Sequence, residues 1–445
     1  MRVRYSTSTA SVTSCRRARL SRRCSPTSEV RSTRTFPKTR HRNTKHHPSV
    51  APAPSRSVTV PHSHRRSRFI RHAGLGLNGT KLGCGEGGCG ACTVMLSDYD
   101  RAKGEVNHRA VNACLTPLYA CEGTHVITVE GLGTKRGGLH PVQKALAHAH
   151  GSQCGFCTPG FVMSMYALLR SKKTKPTELE IEEALGGNLC RCTGYRPILE
   201  GFKTFARNAP DSAYSGETIN GHTNQSNGTA ANGTHANGDS KGAPICPSTG
   251  QPCTNGCGST PAAKALGAGE DDPVTAVREP IFPPELKRRI PSALTIPGAV
   301  ASWHRPITLA GLLALKKAHP AARLVCGNTE VGVEVKFKNA RYPVIVAPTH
   351  VPELTDVSLS PDSSRLVIGA SVTLTTLLNT CESLTNELGA VRTSGLVAIK
   401  EQLRWFAGPQ VRNVSSVGGN VCTASPISDL NPLWIACGAV FELES

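Results

Sequence analysis

The stretch KLGCGEGGCGACTV, residues 81–94, combines five glycines with three cysteines. Cys84, Cys89 and Cys92 have the spacing C-x4-C-x2-C, and Cys114 follows further along the chain. This pattern is typical of thiolates that bind a plant-type 2Fe-2S cluster. The glycines suit that role because a loop around a cluster needs backbone N–H groups aimed at sulfur, and positive φ angles. Zinc is the alternative, although its tetrahedral sites usually combine two C-x2-C units.

A second set of cysteines lies downstream. Cys154 and Cys157 occur in SQCGFCTPG, and Cys190 and Cys192 occur in GNLCRCTGYRP. The C-x2-C pair precedes an apolar run with helical spacing, and the N-terminus of a helix favours anionic thiolates. Taken alone, this quartet fits either a second cluster or a zinc ion. The neighbouring ferredoxin-like motif favours the cluster.

Charge is unevenly distributed along the chain of 445 residues, which is long enough for several domains. The formal net charge of +20 would ordinarily suggest a nucleic acid or an anionic membrane as partner. However, residues 1–66 hold 16 Lys and Arg against a single acid, Glu29. No apolar segment of signal-peptide or membrane-spanning type is present. We therefore expect an intracellular protein with no nucleic-acid or membrane partner, in which clustered cysteines bind metal.

Composition divides the chain into five segments. Residues 1–66 are expected to be a disordered basic tail, with a mitochondrial transit peptide or a nucleic-acid arm as alternatives. Residues 67–140 contain β-like runs such as CTVML and HVITVEGL, and residues 141–210 show helical spacing, with a Thr cap before ELEIEEALGG. Residues 211–275 have the composition of a flexible linker. Residues 276–445 return to folded sequence, with β-like runs ARLVCGNTEVGVEVKF and YPVIVAP.

Two segments of the last region suit the binding of phosphate groups. LVCGNTEVGVEVKF is interpreted as a strand that feeds a Gly-Asn-Thr turn, whose N–H groups can face phosphate oxygens. SSVGGNVCTASPISDLNP has a double glycine that permits close approach of a pyrophosphate. Each segment alone is equally compatible with ordinary turns.

Three longer motifs resemble a known family. GTKLGCGEGGCGACTVMLS, GSQCGFCTPGFVMSMYALLR and GNLCRCTGYRPILEGFKTFA are similar to the N-terminal iron–sulfur region of the molybdenum hydroxylases, in particular of members that oxidise hypoxanthine and xanthine to urate. The resemblance covers about residues 68–210 and 276–445. It implies an α+β multidomain protein with a β-grasp 2Fe-2S ferredoxin-like domain, an all-α 2Fe-2S-binding bundle and a partial FAD domain. The FAD domain would be of the PCMH or CO-dehydrogenase-flavoprotein type, and not a Rossmann fold.

The resemblance also implies roles for individual residues, none of them catalytic. The ferredoxin-type cluster would be bound by Cys84, Cys89, Cys92 and Cys114, and the other cluster by Cys154, Cys157, Cys190 and Cys192. Gln153 matches a glutamine that contacts the molybdopterin cofactor. The FAD pyrophosphate would be lined by Leu324, Val325, Cys326, Gly327, Asn328, Thr329, Glu330 and Val331. Phe406 would pack near the isoalloxazine, and the pocket would be completed by Ser416, Gly419, Asn420, Thr423 and Asp429.

In the intact family enzyme, electrons pass from a molybdenum centre through the helical-domain cluster and the ferredoxin-type cluster to FAD and NAD. The pair Trp405-Phe406, which aldehyde oxidases usually lack, favours NAD as the acceptor. A homodimer is one option for the assembly. We expect a cytoplasmic location, with the peroxisome and the mitochondrion as alternatives.

Two departures from the family shape the functional expectation. Only the basic tail precedes the cluster loop, so we expect the first β-grasp hairpin to be missing. Ser445 falls inside the flavin domain, and the molybdopterin part is absent. We therefore expect the electron-transfer portion of a purine-oxidising enzyme, unable to hydroxylate purines alone. The alternatives are a stand-alone iron–sulfur and flavin subunit, or a nonfunctional truncated product.

Overall fold

A strand hairpin directly follows the cluster loop. The computed structural model describes residues 2–6, 76–133, 138–208 and 279–444, all of which belong to one compact unit. The hairpin consists of β2 (Thr93–Asp100) and β3 (Glu105–Asn112), and β4 (His125–Ile127) pairs with the other edge of β2. Val94 and Leu96 pack into one core and Met95 into another, so successive side chains of β2 bury opposite faces of the sheet.

The β-like runs CTVML and HVITVEGL therefore lie in or next to strands, as predicted. In the described part of this region, residues 76–133, no strand precedes the cluster loop, and the sheet has the order β3-β2-β4. Residues 67–75 lie outside the described ranges.

Four helices follow, where the sequence predicts them. They are α1 (Pro141–His148), α2 (Thr158–Ser171), α3 (Glu178–Leu185) and α4 (Arg196–Lys203). The second is almost entirely buried and packs on β2 and β3. The third starts at the predicted Thr cap, because the Thr177 hydroxyl accepts from the Glu180 N–H and the Glu180 carboxylate accepts from the Thr177 N–H.

The flavin region begins with a small mixed sheet. Its strands are β5 (Leu294–Ile296), β6 (Ser302–Arg305), β7 (Arg323–Leu324) and β8 (Val344–Val346), in the order β5-β6-β8-β7. The sheet is parallel where β8 meets β6 and β7, and antiparallel between β5 and β6. The helices of this part are α5 (Pro284–Arg288), α6 (Leu309–Ala318), α7 (Val331–Phe337) and α8 (Pro352–Thr355).

A second sheet and five helices complete the region. The strands are β9 (Val357–Leu359), β10 (Arg365–Gly369) and β11 (Val440–Glu442), and the helices are α9 (Leu374–Leu388), α10 (Ser394–Trp405), α11 (Pro409–Arg412), α12 (Val417–Thr423) and α13 (Asn431–Ala436). A strand from the chain start, β1 (Arg2–Ser6), lies between β10 and β11 and gives the order β11-β1-β10-β9. Among the described residues, no helix combines the length and the apolar composition that a membrane span requires.

Two expectations require correction. The expected β-like run in residues 322–337 forms only the two-residue strand β7, and VGVEVKF is helix α7. A helix is favoured over a strand here because Val331 and Val335, one turn apart, pack into one apolar cluster while Val333 packs into another. Within the expected disordered tail, Arg2–Ser6 is a strand whose backbone pairs on both edges. Residues 7–66 and the expected linker, residues 211–275, lie outside the described ranges.

Glu279 ties the start of the flavin region to the helical bundle. Its carboxylate lies 2.8 Å from Nε2 of the fully buried His140 and accepts a 2.7 Å hydrogen bond from the Tyr166 hydroxyl. Arg170 adds a longer ion pair. Burial opposes ionisation of Glu279, yet the contacts with His140 and Tyr166 lower the pKa of this carboxyl below its usual value.

Glycines allow three backbone segments to meet beside the cluster loop. Gly90 has φ +66°, and a methyl group there would overlap the Gly187 carbonyl and lie 2.6 Å from Asn188 Nδ2. Gly160 in α2 faces the Gly90 carbonyl, and Gly187 faces Gly408 of the flavin region. Any side chain at these positions would separate the cluster loop from the helical bundle or the bundle from the flavin region.

We expect Gly90→Ala to lower the free energy of unfolding by about 3 kcal/mol or more, because it adds a strained positive φ to a backbone clash. Urea unfolding followed by circular dichroism measures the change. Gly88→Ala is the matched control, since an added methyl group there meets nothing within 4 Å and Gly88 has no positive φ. Equal unfolding midpoints for the two variants would contradict the role of the glycine contact.

Candidate cluster and flavin sites

The first cysteine quartet converges as two pairs. The thiols of Cys84 and Cys89 share a hydrogen bond, as do those of Cys92 and Cys114. Backbone N–H groups point at these sulfurs: Cys84 N lies 3.4 Å from Cys89 Sγ, and Cys114 N lies 3.5 Å from Cys92 Sγ. Glu86 N donates to Cys84 Sγ at 3.5 Å. The loop therefore surrounds the sulfurs with backbone donors, as the sequence predicts.

Positive φ angles make this arrangement accessible at three of the five loop glycines, namely Gly85, Gly87 and Gly90. Gly83 has a different function, because a methyl group there would lie only 2.8 Å from Cys89 Sγ. The buried Asn112 amide anchors the loop, because its Nδ2 donates to the Gly87 carbonyl at 3.0 Å.

The second quartet also forms two pairs. Cys154 contacts Cys192, and Cys157 contacts Cys190, through hydrogen bonds between thiols. Cys157 is the N-cap residue of α2, so the C-x2-C segment that contains Cys154 and Cys157 lies at the helix N-terminus, as expected. Cys190 Sγ lies 3.1 Å from the Thr193 hydroxyl and accepts from the Thr193 N–H at 3.5 Å.

The pairing determines which thiols ionise first. The hydrogen bond between Cys92 and Cys114 raises the pKa of Cys92 and lowers the pKa of Cys114 to about 7. Burial adds to the first shift and opposes the second. In the second quartet, burial and then the contact with Cys190 raise the pKa of Cys157 to about 12. The N–H of Phe156 and then Cys192 lower the pKa of Cys154. Because metal binds thiolates, cluster assembly must release the remaining protons.

The pairs distinguish a two-iron cluster from a single ion. Within the described ranges, no group of three or more cysteine, histidine or acidic side chains converges closely enough to hold one metal ion. A tetrahedral zinc site needs four ligands around one point. Two irons that each take two thiolates need two thiol pairs, which is what both quartets provide. The donor set and the N–H groups around it therefore fit 2Fe-2S clusters.

The two quartets are joined by a direct backbone contact. Leu189 N–H donates to the Cys89 carbonyl at 3.0 Å, so a predicted ligand of one site is hydrogen-bonded to the residue before Cys190. The Asn188 amide donates to the Gly90 carbonyl at 3.1 Å and accepts from Ser164 and Gln410. Gln410 is buried and comes from the flavin region. One polar network thus connects both cysteine sites with the flavin region.

The structure brings together part of the predicted flavin pocket. Cys326 Sγ lies near the hydroxyls of Ser371 and Ser416, and the Thr329 hydroxyl lies 3.0 Å from that of Ser415. The segment 324–331 is therefore packed against the start of α12. Ser416 caps that helix by accepting from the Gly419 N–H.

Other predicted flavin residues have different surroundings. The Asn328 side chain donates to the Leu115 carbonyl at 2.7 Å and so connects the flavin region with the ferredoxin-like domain. Phe406 packs against the core of the second flavin sheet. Leu324, Thr423 and Asp429 are exposed, as is Gln153 beside the second cysteine quartet.

A cavity of about 580 Å³ separates the ferredoxin-like sheet from the flavin region. Of the predicted flavin residues, Cys326 and Gly327 line it. Its wall includes the buried Arg305, which forms an ion pair with Glu122, and His350, whose pKa burial lowers to about 4. The cavity adjoins the predicted pyrophosphate segment but does not coincide with the whole predicted pocket.

Sequence reasoning missed the residues that join the regions. Asn188, Gln410, Ser164 and Glu279 act through contacts between distant segments, and nothing local in the sequence marks them. Lys336, whose ammonium reaches the cluster loop, was hidden because its segment was predicted as a strand. Of these residues, Asn188 is the exception to the lack of a local signal, because it lies inside the GNLCRC motif.

We expect mild oxidation of the metal-free chain to form the disulfides Cys84–Cys89, Cys92–Cys114, Cys154–Cys192 and Cys157–Cys190, because the two thiols of each pair interact directly and shift each other's pKa. Peptide mapping without reduction identifies the pairs. Cys381, buried in the core of the second flavin sheet, serves as a control that stays reduced. Disulfides that cross between the predicted pairs would contradict the paired arrangement.

Comparison with protein families assigns three consecutive regions. Residues 67–119 match a 2Fe-2S iron-sulfur cluster binding domain, and residues 128–203 match a [2Fe-2S] binding domain. Residues 298–445 match an FAD binding domain in molybdopterin dehydrogenase. These matches agree with the predicted order of two iron–sulfur regions and one flavin region.

Individual relatives extend the similarity. Xanthine dehydrogenase from Oryza sativa subsp. japonica is 51% identical over an alignment of 388 residues, and the alignment covers 83% of this chain and 26% of that protein. Xanthine dehydrogenase/oxidase from Gallus gallus is 48% identical over 83% of this chain and 27% of its own length. Among solved structures, aldehyde oxidoreductase from Desulfovibrio gigas is 36% identical over 34% of this chain and 15% of its own, with a TM-score of 0.28. The chain thus spans about a quarter of the curated relatives, and it is a homologue of the xanthine dehydrogenases that corresponds to their iron–sulfur and FAD-binding region.

Proposed function

We propose that the chain is the electron-transfer portion of a xanthine dehydrogenase-like oxidoreductase, with two 2Fe-2S clusters and FAD as cofactors. The observation that carries the proposal is the arrangement of eight cysteines as two sets of two thiol pairs. When bound, the clusters supply one-electron chemistry and FAD converts between one-electron and two-electron transfer.

The protein contributes ligation, orientation and exclusion of water. Cys92 and Cys114 are almost fully buried, so the inner pair of the first site is protected from solvent. Cys154 and Cys192 of the second site are exposed. The exposed thiols Cys154 and Cys192 next to Gln153 and the buried thiols Cys92 and Cys114 near the flavin region suit an electron path that enters through the helical bundle.

The finer functional assignments extend the family resemblance. We propose hypoxanthine and xanthine as the substrates of the whole enzyme, with urate as product and NAD as the electron acceptor. The molybdopterin cofactor would be contacted at Gln153. A homodimer and a cytoplasmic location, with the peroxisome or mitochondrion as alternatives, complete the proposal.

Assembly of the clusters is directly measurable. We expect the anaerobically expressed chain to contain about four iron atoms, and after reduction to show two distinct 2Fe-2S signals in electron paramagnetic resonance. Cys114→Ser should remove one signal and Cys190→Ser the other, because each removes one ligand of a different site. Cys381→Ser is the matched control and should keep both signals. Bound zinc in place of iron, without visible absorbance, would contradict the proposal.

Flavin binding depends on contact between the two flavin segments. We expect Thr329→Val to weaken FAD binding about fivefold, because it removes a hydrogen bond to Ser415 worth about 1 kcal/mol. Flavin fluorescence titration of the isolated chain measures the affinity. Thr380→Val is the control, since that hydroxyl donates to Thr376 of its own helix. Unchanged FAD affinity in Thr329→Val would show that this contact does not shape the pocket.

A further inference from the structure

Lys336 crosses from the flavin region to the ligand loop of the ferredoxin-type site. It lies in α7, and its ammonium donates to the Gly85 carbonyl at 2.8 Å and to the Cys114 carbonyl. Gly85 follows Cys84, and Cys114 belongs to the other thiol pair. One cation is therefore hydrogen-bonded beside both pairs of the same site.

The position of Lys336 is fixed by the packing of α7. Asn328, just before the helix, donates to the Leu115 carbonyl at 2.7 Å. Val333 packs into the apolar cluster that contains Cys92 and Cys114. These contacts fix the position of the Lys336 ammonium relative to the thiols of the first site. The electrostatic effect of its charge on that site is therefore constant.

Neighbouring acids on α7 have other contacts. The Glu334 carboxylate accepts from the Tyr342 hydroxyl at 2.7 Å and from Arg323 at 3.3 Å. Glu330 pairs with Lys338 at 3.9 Å. Glu334 and Glu330 are thus each engaged by another side chain.

We propose that Lys336 is a positioning residue that raises the reduction potential of the ferredoxin-type cluster relative to the helical-domain cluster, a role that rests on the proposed function. Reduction adds one electron, and hence one negative charge, to the group held by the four thiolates. A nearby cation stabilises that added charge. Oxidation of the helical-domain site by one electron then accompanies reduction of the site beside the flavin region.

The test is a potentiometric titration of the full chain with dithionite, followed by electron paramagnetic resonance. The two signals are first assigned with Cys114→Ser and Cys190→Ser. For Lys336→Met we expect the equilibrium constant for reducing the ferredoxin-type cluster to fall about tenfold, a shift of about 59 mV to lower potential for one electron. The helical-domain cluster should keep its potential. Lys336→Arg should retain the wild-type value because it keeps the charge.

Lys338→Met is the matched control on the same helix, because Lys338 is exposed and pairs with Glu330, and we expect both potentials to be unchanged. If Lys336→Met fails to assemble the cluster, Lys336→Gln, which keeps a donor without the charge, carries the same expectation. Wild-type potentials in the uncharged variants would overturn the role of Lys336. Cluster loss in Lys336→Met, Lys336→Gln and Lys336→Arg alike would also overturn it, by assigning a purely structural role. Absence of both signals from the wild-type chain would instead refute the proposed function.

Discussion

The closeness of backbone segments around Gly90 is the constraint on which the arrangement of the cysteine sites depends. Gly90, Gly160 and Gly187 bring the cluster loop, helix α2 and the segment before Cys190 into direct contact. Only because no side chains intervene can Leu189 reach the Cys89 carbonyl and Asn188 reach the Gly90 carbonyl. Gly408 extends the same contact to the flavin region. The three regions thus meet at glycines, where no side chain separates their backbones.

Charge and polarity are arranged around this junction. The buried Asn188 amide accepts from Ser164 and Gln410 and donates to the Gly90 carbonyl, whereas Gln410 Oε1 is buried without a hydrogen-bond partner. Cys92 and Cys114 of the first site are buried, whereas Cys154 and Cys192 of the second site are exposed. The most exposed of the eight thiols therefore belong to the second site.

The sequence was most informative where local chemistry determines structure. The spacing around Cys84 and Cys154, the Thr177 cap and the helical period of residues 161–170 all lead to what the structure shows, because each depends on neighbours in the chain. Helix α7 was mistaken for a strand because its alternating valines meet two different cores, a fact that only tertiary packing reveals. Strand β1 was missed for a similar reason, since its pairing partners lie at the far end of the chain.

The contact of Glu279 with His140 and Tyr166 has a consequence for how the chain can vary. The bundle ends near residue 208, and the chain returns to that same bundle at Glu279 before it enters the flavin region. Both ends of the intervening segment are therefore held by one domain, and its length does not set the distance between domains. If residues 209–278 form the linker that their composition predicts, insertions there should be nearly neutral for folding, because doubling the length of a flexible loop adds only about 0.6 kcal/mol of closure entropy. Natural variation in length can accumulate between these two anchors while the electron-transfer core stays unchanged.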